Sequence, residues 1–276
     1  HPGHALPPIA AVADPALRRV LARALSALPA ERYRTVDELA AALRLGDRVA
    51  GPPFSHLEPF TEADHARLFG RERDTSELLD GVIRGPVILL LAPSGAGKTS
   101  LLRAGLAPAL ADAGLDRVYV ALRRGGAPAL IDAISPGATE LAAAVDARYA
   151  RSGRKLILLV DQIEEALAAP DPVIGELARL AARGLPHLGL VIAVRDDCHL
   201  SLIHHDEFRS VHTVPLGPLR PDDARAAIVT PLRERDVDIA PELLDLLLHE
   251  LGAAARALAD KEGRLGDAEP GAIYPP

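Results

Sequence analysis

The sequence predicts an α/β protein, a parallel sheet flanked by helices, followed by a helical subdomain and preceded by a short helical segment. Three observations carry this reading. From residue 86 onward, short continuous apolar runs alternate with helical patterns, as expected of a parallel sheet covered on both faces. Beyond residue 223 only helical periodicity remains. The chain of 276 residues is 49% apolar and 25% charged, which suits a folded domain with a sizeable core. Aromatic residues make up only 3%, so that core must come from Leu, Ala, Val and Ile.

The elements follow in order. Residues 1–45 are alanine-rich, and 15–25 space their apolar side chains at helical intervals. Thr35 caps a second helix, with Glu38 completing a capping box before Leu39, Ala42 and Leu43. Residues 46–56 read as a linker containing Gly and Pro. The α/β core should occupy 57–220, and 221–276 a truncated helical subdomain behind the sheet. Strands are expected at 87–91, 117–122, 155–160, 189–194 and 211–216. Helices are expected at 99–111, 139–151, 172–182, 221–233 and 241–251. No internal repeat points to a solenoid or propeller. The chain opens on His1 and contains no methionine, which reads as a piece of a longer protein.

Chemistry enters where VILLLA runs into PSGAGKTS and then LLRAGLAPAL. Residues 92–99 are APSGAGKT, a glycine loop between a strand and a helix. Gly95 and Gly97 let backbone N–H groups converge on phosphate oxygens, and the following helix adds its positive end. The candidate nucleotide contacts are Pro93, Ser94, Gly95, Ala96, Gly97, Lys98, Thr99 and Ser100. Lys98 should reach the β- and γ-phosphates of a nucleoside triphosphate, and Thr99 should ligate Mg²⁺. Ala92 stands where the pattern has its first glycine, tolerable if its φ is negative.

In LILLVDQIEE, Asp161 ends a buried strand at the edge where parallel sheets bind ligands. It is the candidate Mg²⁺-associated acid. Glu164 and Glu165 are both candidates to orient and deprotonate a water. Either could instead simply open a helix, and Glu164 is slightly preferred as the base. Arg195 ends the strand GLVIAVR and has two readings. It senses the γ-phosphate, or it forms a structural ion pair with Asp196, Asp197 or Glu207.

The net charge of −7 argues against non-specific nucleic-acid binding. The longest apolar run, 87–92, is too short to span a bilayer. With no signal peptide and one cysteine, Cys198, a cytoplasmic location is expected. His199, His204, His205 and Asp206 lack metal-ligand spacing. Val194-Arg195-Asp196 only imitates a kinase catalytic loop, and no glycine-rich kinase loop or Asp-Phe-Gly is present.

Five ordered segments resemble the STAND class of signal-transduction ATPases, specifically the novel STAND NTPase 1 group. They are LEPFTEADHARLFGRERDTSELL, PSGAGKTSLLRAGLAPAL, LILLVDQIEEAL, VIAVRDD and VPLGPLRPDDARAAI. The resemblance covers about residues 52–276. It implies that Gly70, Arg71 and Glu72 lie near the adenine and ribose, and that the nucleotide is ATP. It also supports Asp161 as the metal-associated acid and Arg195 as a sensor. Such proteins are switches: the ADP state is closed, and ATP opens it and drives self-association until slow hydrolysis resets it. The family usually continues into a winged helix and repeats, near where this chain stops. Its upstream signal and protein partners stay open. Residues 1–45 resemble the C-lobe end of bacterial eukaryotic-like serine/threonine kinases, through Leu28-Pro29-Ala30-Glu31-Arg32-Tyr33 and the Glu38–Leu43 stretch. No kinase activity is expected from this chain.

Overall fold

The computed structural model describes residues 58–122, 126–168 and 172–261, with Phe54 and parts of 15–42. The expected linker at 46–56 falls almost wholly outside the described residues, as do residues 262–276. So does much of the kinase-like segment. Within it, the described stretch Pro15–Ala24 forms α1, and the Glu38 N–H donates to Thr35 Oγ1 at 3.1 Å, one bond of the expected box. Arg32 Nε donates to the Ser26 carbonyl oxygen at 2.7 Å.

Five strands form the sheet: β1 (Val87–Ala92), β2 (Asp116–Ala121), β3 (Leu156–Asp161), β4 (Leu188–Arg195) and β5 (His212–Pro215). Their order is β2-β3-β4-β1-β5, and every pairing is parallel. Each lies within two residues of its expected bounds. Contiguous Val, Ile and Leu favour strand, and they bury both faces at once.

Helices cover both faces. On one, α2 (Glu72–Arg84) packs beside α3, which runs unbroken through Lys98–Ser100, a π-helical stretch Leu101–Leu106, and Ala107–Asp112. Leu78, Val82, Leu102, Leu106 and Leu110 meet Ile88, Leu90, Ile157, Leu159 and Val191 there. On the other face, α4 (Gly126–Ile134), α5 (Leu141–Ser152), α6 (Ile163–Leu167) and α7 (Val173–Arg183) cover Val118, Val120, Leu158, Val160 and Ile192. Alternate residues of β1 to β4 therefore serve opposite cores, each buried Leu or Ile contributing about 1.5–3 kcal/mol. Short turns follow at α8 (His199–Ile203) and α9 (Asp206–Arg209).

Pattern reading overlooks α4 because its first turn carries Gly126 and Pro128. Those residues look like breakers, yet a proline in the first helical turn loses no hydrogen bond. The helical subdomain comprises α10 (Pro221–Arg233) and α11 (Pro241–Lys261), joined through Leu219, Ala224, Leu248 and Leu251. Its first turn meets the segment just upstream of β1. Gly70 has φ +79°, and a Cβ there would lie 2.6 Å from the Asp223 carbonyl oxygen. The first turn of α10 thus seats against Gly70, next to the residue that reaches the glycine loop. Among the described residues, no helix is long and apolar enough to cross a membrane.

Candidate functional site

β1 ends at Ala92 in strand backbone, so the missing first glycine is not needed for a left-handed turn. The turn is made by Gly95 and Gly97, with φ of +79° and +93°, a region that a Cβ disfavours. Immediately afterwards α3 begins, and its first N–H groups have no preceding helical acceptor. A short polar cradle at a helix N-terminus results.

Lys98 is buried, and its Nζ donates to the carbonyl oxygens of Ala92 and Pro93, each at 2.9 Å. Burial pushes its pKa down, against the pull of Glu164 and then Asp161. The ammonium therefore stands in the field of three carboxylates, Glu164, Asp161 and Asp196. Asp161 closes β3 and is 1% exposed. Its Oδ2 accepts from Thr99 Oγ1 at 2.7 Å and from the Tyr119 hydroxyl at 2.8 Å. Its Oδ1 accepts from the Gln162 N–H at 2.9 Å.

Gln162 itself sits at φ +58°, which costs a residue bearing a Cβ about 1 kcal/mol. That bend turns β3 directly into α6 and separates the two glutamates. Glu165 is exposed. Glu164 is partly buried, and its Oε2 is enclosed with no hydrogen-bond partner. Burial raises the Glu164 carboxyl pKa, while Lys98 draws it back down.

Arg195 ends β4 in register with Ala92. Its guanidinium grips Asp197 through Nε at 3.1 Å and Nη2 at 2.6 Å, and its side chain is 40% exposed. Asp197 is thus its ion-pair partner here. Cys198, next along, is half-buried, and burial lifts its thiol pKa.

The Gly70-Arg71-Glu72 turn binds the loop from the protein side. Arg71 is 5% exposed. Its Nη1 donates to Asp74 Oδ2 at 2.9 Å and to the Gly217 carbonyl oxygen at 3.0 Å, and its Nη2 to the Ala96 carbonyl oxygen at 3.1 Å. Glu72 Oε1 accepts from the Gly70 N–H at 3.1 Å. Ser100 Oγ accepts from the Phe60 N–H at 3.1 Å, tying α3 to the same upstream segment.

Lys98, Thr99, Asp161 and Glu164 therefore converge at the carboxyl ends of β1 and β3, where doubly covered sheets bind ligands. A match to the family described as novel STAND NTPase 1 spans residues 53–265. The chain belongs to that family. This STAND NTPase has the fold of P-loop ATPases. It is similar to the Walker-type ATPase paby2304 of Pyrococcus abyssi at 19% identity and a TM-score of 0.55, over 77% of this chain and 72% of that one. The ORC1 protein of Aeropyrum pernix, solved in complex with DNA, is similar at 16% identity and a TM-score of 0.50. That likeness spans 78% of this chain and 58% of that one. No curated protein matches the sequence.

Two residues of this STAND NTPase site escape pattern reading. Tyr119 lies in an apolar strand, where a tyrosine ordinarily just packs. The signal that exposes it is register: it sits two positions before Ala121, the partner of Asp161. Gln162 carries no signal in its own identity, because nothing in glutamine announces a left-handed backbone.

Proposed function

We propose that this module binds ATP with Mg²⁺ at residues 93–100 and hydrolyses it slowly, as the nucleotide switch of a larger multidomain regulator. The observation that supports it is the meeting of Lys98, the Thr99–Asp161 pair and the enclosed Glu164 oxygen at one sheet edge. The donor set fits a hard cation, since Thr99 and Asp161 offer only oxygen. The Thr99 hydroxyl donates its hydrogen bond to Asp161, which leaves its oxygen lone pairs for a ligand. Mg²⁺, when bound there, would neutralise phosphate charge.

The remaining chemistry belongs to the chain's own groups. Lys98 exchanges two neutral carbonyl acceptors for phosphate oxygens, a stronger charge-assisted pairing. Glu164 takes the proton from the attacking water, its raised pKa making it a better base than a solvated carboxylate. Arg195, which Asp197 holds through Nε and Nη2, senses the γ-phosphate by exchanging that carboxylate for it, a change of anionic partner. Glu165 faces solvent and stays outside this chemistry. Gly70, Arg71 and Glu72 form the adenine-proximal turn, which Glu72 closes on the Gly70 N–H and Arg71 links to the loop at Ala96 and to Gly217 beyond β5. The kinase-like residues 1–45 extend the proposal to a parent chain in which a kinase precedes the switch. Nucleotide-dependent self-association belongs to the same proposal.

The test is nucleotide affinity for the chain, with Lys98→Ala beside it. ATP and ADP should bind in the presence of Mg²⁺, and Lys98→Ala should weaken ATP at least tenfold. Undiminished ATP binding by Lys98→Ala would put the site elsewhere.

A further inference from the structure

The pleat of the sheet places Ile157, Leu159 and Asp161 of β3 on the face that α3 covers, since Ile157 and Leu159 pack in that core. Tyr119 on β2 pairs with Leu159 and packs into the same core. It is therefore a diagonal neighbour of Asp161 on one face, within reach of a long aromatic side chain. Its hydroxyl donates to Asp161 Oδ2, the same oxygen that accepts the Thr99 hydroxyl's hydrogen bond. From α3, the Arg103 guanidinium lies over the Tyr119 ring, 5.3 Å from its centroid. A cation on that face stabilises negative charge developing on the phenol oxygen, which makes the hydroxyl a stronger donor to a carboxylate.

We propose that Tyr119 is a positioning residue for cation binding: by holding Asp161 Oδ2, it fixes the Thr99 hydroxyl with its lone pairs turned to Mg²⁺. The inference rests on the nucleotide reading above. Asp161 is almost completely buried and takes three donors on two oxygens. Two of them, the Gln162 N–H and the Thr99 hydroxyl, come from groups set by the backbone turns beside the site. The third arrives from a different strand and braces Oδ2 against rotation about χ2. Without it the carboxylate can turn, and the Thr99 O–H bond reorients with it. The hydroxyl then spends only part of its time presenting lone pairs to a cation, and a buried network loses one of its members.

The experiment measures the dissociation constant of a fluorescent N-methylanthraniloyl-ATP with Mg²⁺ and with EDTA, for wild type, Tyr119→Phe, Thr99→Ala and the double variant. The ratio of the two constants reports the cation's contribution. Tyr119→Phe keeps the ring under Arg103 and should cut that ratio about three- to tenfold, the effect of one hydrogen bond to a charged group partly recovered by relaxation. Tyr119→Leu removes the same hydroxyl with a different apolar side chain and should give the same cut. In the Thr99→Ala background, Tyr119→Phe should add little, because both act through one oxygen. A purely packing role would change both constants equally and leave the ratio at its wild-type value. An unchanged ratio, or full additivity with Thr99→Ala, overturns the proposal. A wild-type affinity indifferent to Mg²⁺ overturns the cation reading itself and this inference with it, an outcome distinct from the first two.

Discussion

Replacing Glu164 by Gln should slow ATP hydrolysis and stabilise the fold in the same molecule. The enclosed Oε2 has no donor to satisfy it, and burial raises the carboxyl pKa. The folded chain then holds a proton that the unfolded chain releases, from the ordinary carboxylate value near 4.3 upward. Stability contributed by the neutral form is thus complete below that value and declines as pH rises through the raised one. Glutamine of nearly equal size never ionises, so Glu164→Gln should melt above wild type at pH 7.5 and together with it near pH 4. Its chemistry moves the other way. A positioned general base supplies about 10²- to 10⁴-fold, or roughly 3–5 kcal/mol of barrier, and glutamine cannot accept the proton. Single-turnover loss of γ-labelled ATP separates this step from nucleotide exchange, with Glu165→Gln as the exposed control expected within about threefold of wild type. Equal single-turnover rates for wild type and Glu164→Gln would remove Glu164 from the chemistry. A large loss confined to Glu165→Gln would transfer the role to the other carboxylate.

Two further expectations concern how the glycine loop is held, and a third an ion pair at the opposite end of the sheet. Gly70→Ala must both adopt φ +79° and push a Cβ from 2.6 Å off the Asp223 carbonyl oxygen, a cost of about 2–4 kcal/mol; urea unfolding reads it, and a loss below about 0.5 kcal/mol would show that α10 does not bear on this turn. Arg71→Lys cannot hold Asp74, Gly217 and Ala96 together, so it should lose about 2–3 kcal/mol of stability and weaken nucleotide binding; calorimetry and the binding assay check both. Asp116 takes two hydrogen bonds from Arg148, at 2.6 and 2.9 Å, which hold its carboxyl below the ordinary value. A depressed folded pKa gives stability that is present above about pH 3.9 and lost as pH falls through the folded value. Asp116→Asn should therefore cost about 1–3 kcal/mol at pH 7, a deficit that closes in acid; a deficit constant down to pH 2 would contradict the assignment to this ion pair.

The phosphate half of the site could be read from the chain because it is contiguous. Strand, glycine turn and helix lie within residues 87–112, and each is specified by neighbours a few positions apart. The same locality made the five strands legible, since a strand buried on both faces announces itself as a run of Val, Ile and Leu. Helix α4 resisted because its Gly and Pro stand at positions where helices tolerate them.

What the amino-acid order determined by itself was therefore the set of strands, the glycine turn, Lys98 and Thr99 as the polar groups that open the following helix, and Asp161 as the acid that closes a strand. Tertiary structure alone decided the rest. The sequence separates Glu164 from Glu165 only by a slight preference, and the left-handed turn at Gln162 with the docking of α6 buries one and exposes the other. Arg195 had three acids within reach of its sequence position, and the geometry beyond β4 chose Asp197. Arg71 meets Gly217 across 146 positions, and Tyr119 meets Asp161 across 42. Such pairs depend on strand order and pleat, and those are settled by how whole faces bury against each other rather than by any residue's own preference.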